Sequence, residues 1–353
     1  MQRSPFKFLD YYHKEDKDIF FGRDYETLEL YERTFETSLV LLYGASGTGK
    51  TSIINCGLEN QFAASDWYPI SIRREQNLML SMRKALDKHA VKPLNPEAPL
   101  ADQVKSLYLD YFKPIFLIFD QFEELFILGE KNEQRTFFRE IANLMQANIQ
   151  CKIILSMREE YIAYLSEYEH TIPSMFDNRL RIEKMNTKLL TEVIEGTTQA
   201  FEIEIDTPEV VIEKIIERLR DKNQEVDLAN LQVFLDRLYR LDDDSRNKEE
   251  NPNRKICFDQ ALISQIGTFE DVMGIFLDEQ LDILDAELAA KGIQQKNIPI
   301  DILFELVTDT GTKQSLEVEH IKMRLKNSKK IDGELVDYCV QRFKQMRLIR
   351  DFS

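Results

Sequence analysis

From Gly44 to Thr51 the chain reads Gly-Ala-Ser-Gly-Thr-Gly-Lys-Thr, which fits G-x-x-x-x-G-K-[ST] and narrows sharply what the surrounding chain can fold into. The run Ser38 to Tyr43 (SLVLLY) ahead of it is short and apolar and ends at glycine, so it predicts a buried strand. Thr51 to Phe62 predicts a helix. Between such a strand and helix, glycines let the backbone curl until successive N–H groups point inward as an anion nest. The following helix adds the positive end of its dipole. Lys50 supplies a point charge for β- and γ-phosphates, and the Thr51 hydroxyl can ligate Mg²⁺. A glycine-rich turn that merely caps a helix would share the composition, but this one has both flanking elements of a triphosphate loop.

Strand and helix patterns alternate around that loop. Trp67 to Ile72 (WYPISI), Ile115 to Asp120 (IFLIFD) and Lys152 to Ser156 (KIILS) predict further strands. Arg179 to Met185 predicts a fifth, because Leu180 and Ile182 alternate with charged neighbours. Asn77 to His89 and Arg135 to Ala147 predict helices. The expected fold class is α/β, with a parallel sheet. From Thr187 the period becomes helical. Val210, Val211, Ile215, Ile216 and Leu219 form one apolar face, and Leu228, Leu231, Val233, Phe234, Leu235 and Leu238 another. The polar run Asp242 to Arg254 (DDDSRNKEENPNR) predicts a solvated loop. Short amphipathic helices follow, including Ile300 to Val307 and Glu334 to Met346. Arg347 to Phe352 (RLIRDF) then reads as a strand with no partner after it, as in a chain cut short.

Composition excludes some partners. The net charge of −16 over 353 residues argues against a broad nucleic-acid footprint, which needs clustered Lys and Arg. Cys56, Cys151, Cys257 and Cys339 lie far apart without metal-ligand spacing and read as scattered reduced thiols. Charged residues interrupt the first twenty positions, and no apolar run approaches the roughly 20 residues that span a bilayer. A soluble, cytoplasmic chain is expected.

A triphosphate loop needs a carboxylate at the end of a neighbouring strand to hold Mg²⁺. Asp120, closing Ile115 to Phe119, stands where that carboxylate belongs. Glu123 or Glu124, just beyond, can orient or deprotonate the attacking water, although acidic residues also favour a helix start. Arg158 follows the fourth strand, at the sheet edge where ligands bind, and can reach a γ-phosphate. Arg179 and Arg181 are weaker cations of the same kind.

Phe20-Phe21-Gly22-Arg23-Asp24-Tyr25-Glu26, the loop, Asp120-Gln-Phe-Glu-Glu-Leu-Phe126 and Ser156-Met-Arg158 together resemble the STAND class of signal-transduction ATPases, in its bacterial novel STAND branch, related to NACHT and AAA-type ATPases. Pro5 to Asp10 fits the same branch. The resemblance implies a five-stranded NTPase core, a helical domain and a winged helix. Those fall at 1–186, 187–254 and 255–353, the last lacking its final strands. It implies ATP or ADP with Mg²⁺, bound by Gly44, Ala45, Ser46, Gly47, Thr48, Gly49, Lys50, Thr51 and Ser52. Phe21, Gly22 and Arg23 would lie by the adenine, with Arg23 its main contact. Where relatives carry a proline in the helical domain, this chain has Ala229 or Asn230, which weakens the case for a nucleotide contact from that helix. The resemblance implies a slowly hydrolysing switch in bacterial signalling or defence, self-associating when ATP-bound, with sensor or effector segments elsewhere. The competing reading is a steadily turning-over AAA-type ATPase or other P-loop enzyme.

Overall fold

Five apolar runs become one parallel sheet in the order β2-β3-β4-β1-β5. The strands are β1 (Leu39–Gly44), β2 (Tyr68–Ile72), β3 (Ile115–Phe119), β4 (Cys151–Arg158) and β5 (Arg179–Arg181). The computed structural model describes residues 4–7, 10–246, 254–267, 269–307, 316–345 and 348–349. All four strand pairings are parallel, and Gly44 stands opposite Arg158 in the β1–β4 ladder. Every residue of β3 is buried because helices cover both faces of the sheet. Successive side chains alternate between those faces. Leu39, Leu41, Leu117, Phe119, Ile153 and Leu155 enter one cluster with Met82, Val104 and Phe137. Val40, Leu42, Phe116, Ile118 and Ile154 enter the other, with Leu30, Ile53 and Leu58.

The helices of the core are built locally. α1 (Asp24–Glu36) precedes the sheet. After the loop, α2 (Lys50–Ser52), a π-helical stretch (Ile53–Leu58) and α3 (Glu59–Gln61) run on continuously. α4 (Leu78–His89) begins at Asn77, whose Oδ1 accepts from Met79 N at 3.0 Å and Leu80 N at 3.2 Å. α5 (Leu100–Tyr111) was not foreseen. α6 (Glu124–Ile127) is one turn, and α7 (Lys131–Gln146) starts four residues before its predicted start.

The helical region carries α8 (Thr187–Ala200), α9 (Pro208–Leu219), α10 (Leu228–Arg246) and α11 (Gln260–Gln265). Two short strands, β6 (Glu204–Ile205) and β7 (Cys257–Phe258), pair in parallel within it. The polar run corrects one expectation, since α10 continues to Arg246 and buries Asp242 and Asp243. Their charges are met by the run's own arginines. Arg254 donates to both Asp242 oxygens at 2.7 and 2.9 Å, and Asp243 pairs with Arg246. Residues 247–253 lie outside the described ones.

The chain divides into two units, Met1–Gln265 and Ile266–Ser353. In the second, α12 (Phe269–Ala290), α13 (Ile298–Phe304), α14 (Val318–Ser328) and α15 (Gly333–Gln345) surround Leu284, Leu288, Ile302, Ile321, Leu325, Val336 and Phe343. Its described residues include no strand. The strand expected over Arg347–Phe352 lies outside them except for Leu348 and Ile349, which are not in one. Among the described residues no helix is long and apolar enough to cross a membrane. All four cysteines are free.

Candidate nucleotide site

The loop leaves β1 at Gly44, where a Cβ would come within 2.2 Å of Ile182 O. Gly47 and Gly49 adopt φ of +75° and +86°, the left-handed region that favours glycine. Thr48 Oγ1 donates to Ala45 O at 3.0 Å, closing the turn. Lys50 Nζ donates to Gly44 O and Ala45 O, both at 2.9 Å, which holds the ammonium over the loop. Burial pushes that ammonium below its ordinary value against the pull of Glu123 and Asp120.

The N-terminal segment braces the loop from behind. Arg23 is 2% exposed, and its Nη2 donates to Thr48 O at 2.9 Å and Glu183 O at 2.8 Å, while Nη1 pairs with Glu26. This guanidinium ties α1, the loop and the chain after β5 together. The Phe21 ring packs on Gly196 of α8, 2.8 Å from where a Cβ would stand. Gly22, at φ +75°, lies against Val193 and Met185. Ser52 Oγ accepts from Tyr12 N at 3.1 Å, and Lys7 N donates to Gln232 Oε1 of α10 at 3.2 Å. The Phe6 ring stacks near Phe258 and meets Tyr239 edge-on.

Opposite the loop, Asp120 is buried at the end of β3. Thr51 Oγ1 stands 3.2 Å from both of its oxygens. Arg73 Nη2 donates to Asp120 Oδ2 at 2.5 Å, and Ser156 Oγ to Oδ1 at 3.4 Å. Sequence reasoning missed both partners. Arg73 was findable, because it follows β2 at the same edge of the sheet at which Arg158 ends β4. Gln121, at φ +58°, turns the chain sharply, and Phe122 N donates to Ser156 O at 2.8 Å.

The two glutamates separate by environment. Glu123 is 5% exposed; its Oε1 lies 3.1 Å from Arg158 Nε, and its Oε2 accepts from Arg158 N at 3.2 Å. Burial, reinforced by Glu123, pushes the Glu124 carboxyl up to about 7, against the pull of Arg73 and Arg74. Arg158 thus stands opposite Gly44 in the β1–β4 ladder and grips Glu123. Arg181 is spent on Glu159 at 2.8 Å and Glu183 at 3.3 Å, and Arg179 is exposed in β5.

The first turn of α10 rests on the loop despite lacking the expected proline. A Cβ on Gly47 would fall 1.9 Å from Asp227 Oδ2, and one on Gly49 would fall 3.5 Å from Leu228 Cδ1. Asp227 Oδ1 accepts from Ala229 N at 2.8 Å, capping the helix.

This donor set fits a triphosphate, with a loop of constrained glycines, an ammonium and a helix start. The hydroxyl–carboxylate pair of Thr51 and Asp120 suits Mg²⁺, which takes few protein ligands and keeps several waters. The Novel STAND NTPase 1 sequence model matches residues 5–351. The chain belongs to that family. No curated protein matches it. Among solved structures, a Walker-type ATPase of Pyrococcus abyssi is similar at 16% identity and TM-score 0.50, covering 97% of this chain and 93% of that one. The Aeropyrum pernix ORC1 protein, solved with DNA, gives 14% identity and TM-score 0.52 over 94% and 85%. The ORC2 protein of the same organism, in ADPNP–ADP complexes, gives 12% and 0.55 over 93% and 95%. At such identities the likeness speaks to fold alone. The novel STAND chain is an NTPase built on a P-loop core.

Proposed function

We propose that this NTPase uses ATP and ADP as a signal, hydrolysing ATP slowly to reset a switch. The observation that carries the reading is the grip of Arg158 on Glu123. A γ-phosphate beside the loop competes for the guanidinium that holds this glutamate. A ligand shifts a two-state equilibrium only through its differential affinity for the states, and Arg158 is a contact that only the triphosphate would engage. Lys50 orients the β- and γ-phosphates. Glu124 takes the proton of the attacking water as its oxygen bonds to the γ-phosphorus and the β–γ bridging bond breaks. Thr51 and Asp120 are the residues that would hold Mg²⁺, which supplies charge neutralisation on the phosphate oxygens.

Phe21 and Gly22, packed on α8, form the wall we assign to the adenine, and Arg23 serves the site through the loop it braces. In this reading the core is 1–186, a helical region follows from 187, and the second unit is a winged-helix clamp. ATP favours an open, self-associating form, in bacterial signalling or defence in the cytoplasm. Sensor or effector partners complete the pathway.

The nucleotide carried through purification tests this. Stoichiometric, slowly exchanging ADP is expected. Empty protein with rapid steady turnover would sink the switch, and Lys50→Ala should abolish retention.

A further inference from the structure

We propose that Asp227 lowers the preference of the phosphate loop for triphosphate over diphosphate by placing a fixed negative charge against it. The proposal rests on the reading that Gly44 to Thr51 holds the nucleotide phosphates. The two Asp227 oxygens have separate surroundings. Oδ1 accepts from Ala229 N at 2.8 Å and caps α10, while Oδ2 lies over Gly47, 1.9 Å from where a Cβ would stand. Capping alone does not demand a charge, because Asn, Ser and Thr cap as Asp does. The loop collects anions through its backbone N–H groups, the helix dipole and Lys50, so a carboxylate packed on it works against that task. Lys184 lies within electrostatic reach of Asp227, but its closest partner is another carboxylate. Lys184 Nζ is held by Glu225 Oε2 at 2.7 Å, and Asp221 and Glu225 add further acidic charge to the same segment. Coulomb repulsion grows with the charge of the ligand, so the third phosphate is penalised more than the second. The consequence is a site that keeps ADP against a larger excess of ATP. It also pushes the first turn of α10 away from the loop when the triphosphate enters.

The test titrates the full-length protein and Asp227→Asn with ADP and with a non-hydrolysable ATP analogue, in Mg²⁺, at low and high salt. Asn keeps the cap, and Asp227→Ser provides a second uncharged cap should Asn perturb folding. At low salt the variants should bind ADP about threefold tighter, and the analogue about five- to tenfold tighter, given one unit charge removed at close range. The gap should shrink at high salt, because salt screens a charge that water can still reach. Unchanged affinities, or equal tightening for both ligands that ignores salt, would leave Asp227 a cap and overturn the proposal. Lys50→Ala separates the levels. If it still retains nucleotide, the phosphate-site assignment falls and Asp227 with it. If it loses nucleotide while the Asp227 variants match the wild type, Asp227 alone falls.

Discussion

Glu123 and Glu124 are adjacent in the chain and chemically distinct in the fold. Glu123 is committed to Arg158 through two contacts, whereas Glu124 faces Glu123, Asp120, Arg73 and Arg74 from a desolvated position that raises its carboxyl to about 7. Only the ionised carboxylate can accept a proton, so hydrolysis should rise with pH through about 7. Glu124→Gln should lower kcat by about 10²-fold or more and flatten that profile. Glu123→Gln should instead change the ratio of ATP to ADP affinity, because it frees Arg158. Steady-state rates across pH, beside nucleotide titrations, tell the two apart. The same shift acts on stability with a definite sign. A carboxyl whose folded value exceeds its ordinary 4.5 favours the fold most at low pH, and that contribution is lost as pH rises through about 7. Denaturation curves of Glu124→Gln should lack this component.

Among the elements, β2, α4 and α7 meet at one buried ion pair. Arg74 donates to Glu133 through Nε and Nη2, both at 3.0 Å, and Glu133 Oε1 also accepts from Leu78 N at 2.7 Å in the first turn of α4. Arg74→Ala leaves a buried carboxylate without its guanidinium and should cost about 3–5 kcal/mol by chemical denaturation. Replacing both residues by apolar ones of similar volume should cost much less. Glu133 also shows why parts of the fold were illegible. Its stretch, Lys131 to Gln134, is charged and polar and carries no apolar period, yet it forms the first turn of α7, where Arg74, just beyond β2, pairs with Glu133. Asp242 and Asp243 misled in the same way, since their partners, Arg254 and Arg246, come within reach only once α10 is folded. The strands were legible because a parallel sheet covered on both faces demands unbroken apolar runs, and IFLIF and LVLLY provide them. The loop and Asp120 were legible from spacing. Ser156 and Asp227 were not, because their place at the site is set by strand register and helix packing rather than by distance along the chain.

At the scale of the molecule, each of the two units has its own apolar cluster, one set around the sheet and one around Leu284, Ile302, Leu325 and Phe343. Unfolding should therefore depart from a single two-state step. Calorimetry should resolve two transitions, and saturating ADP should raise the one that belongs to 1–265, by mass action on the folded site. A single transition that moves as a whole would refute this independence. The pairing of Phe6 with Phe258 and Tyr239, and of Lys7 with Gln232, has a consequence for the chain's birth. At about 5–20 residues per second, the ribosome takes roughly ten to fifty seconds between making the first of these partners and the last. The five strands of the main sheet are complete by Arg181, well before Phe258 is translated. The strands that carry the phosphate loop can therefore be complete while Phe6 and Lys7 still lack the partners that hold the N-terminal segment.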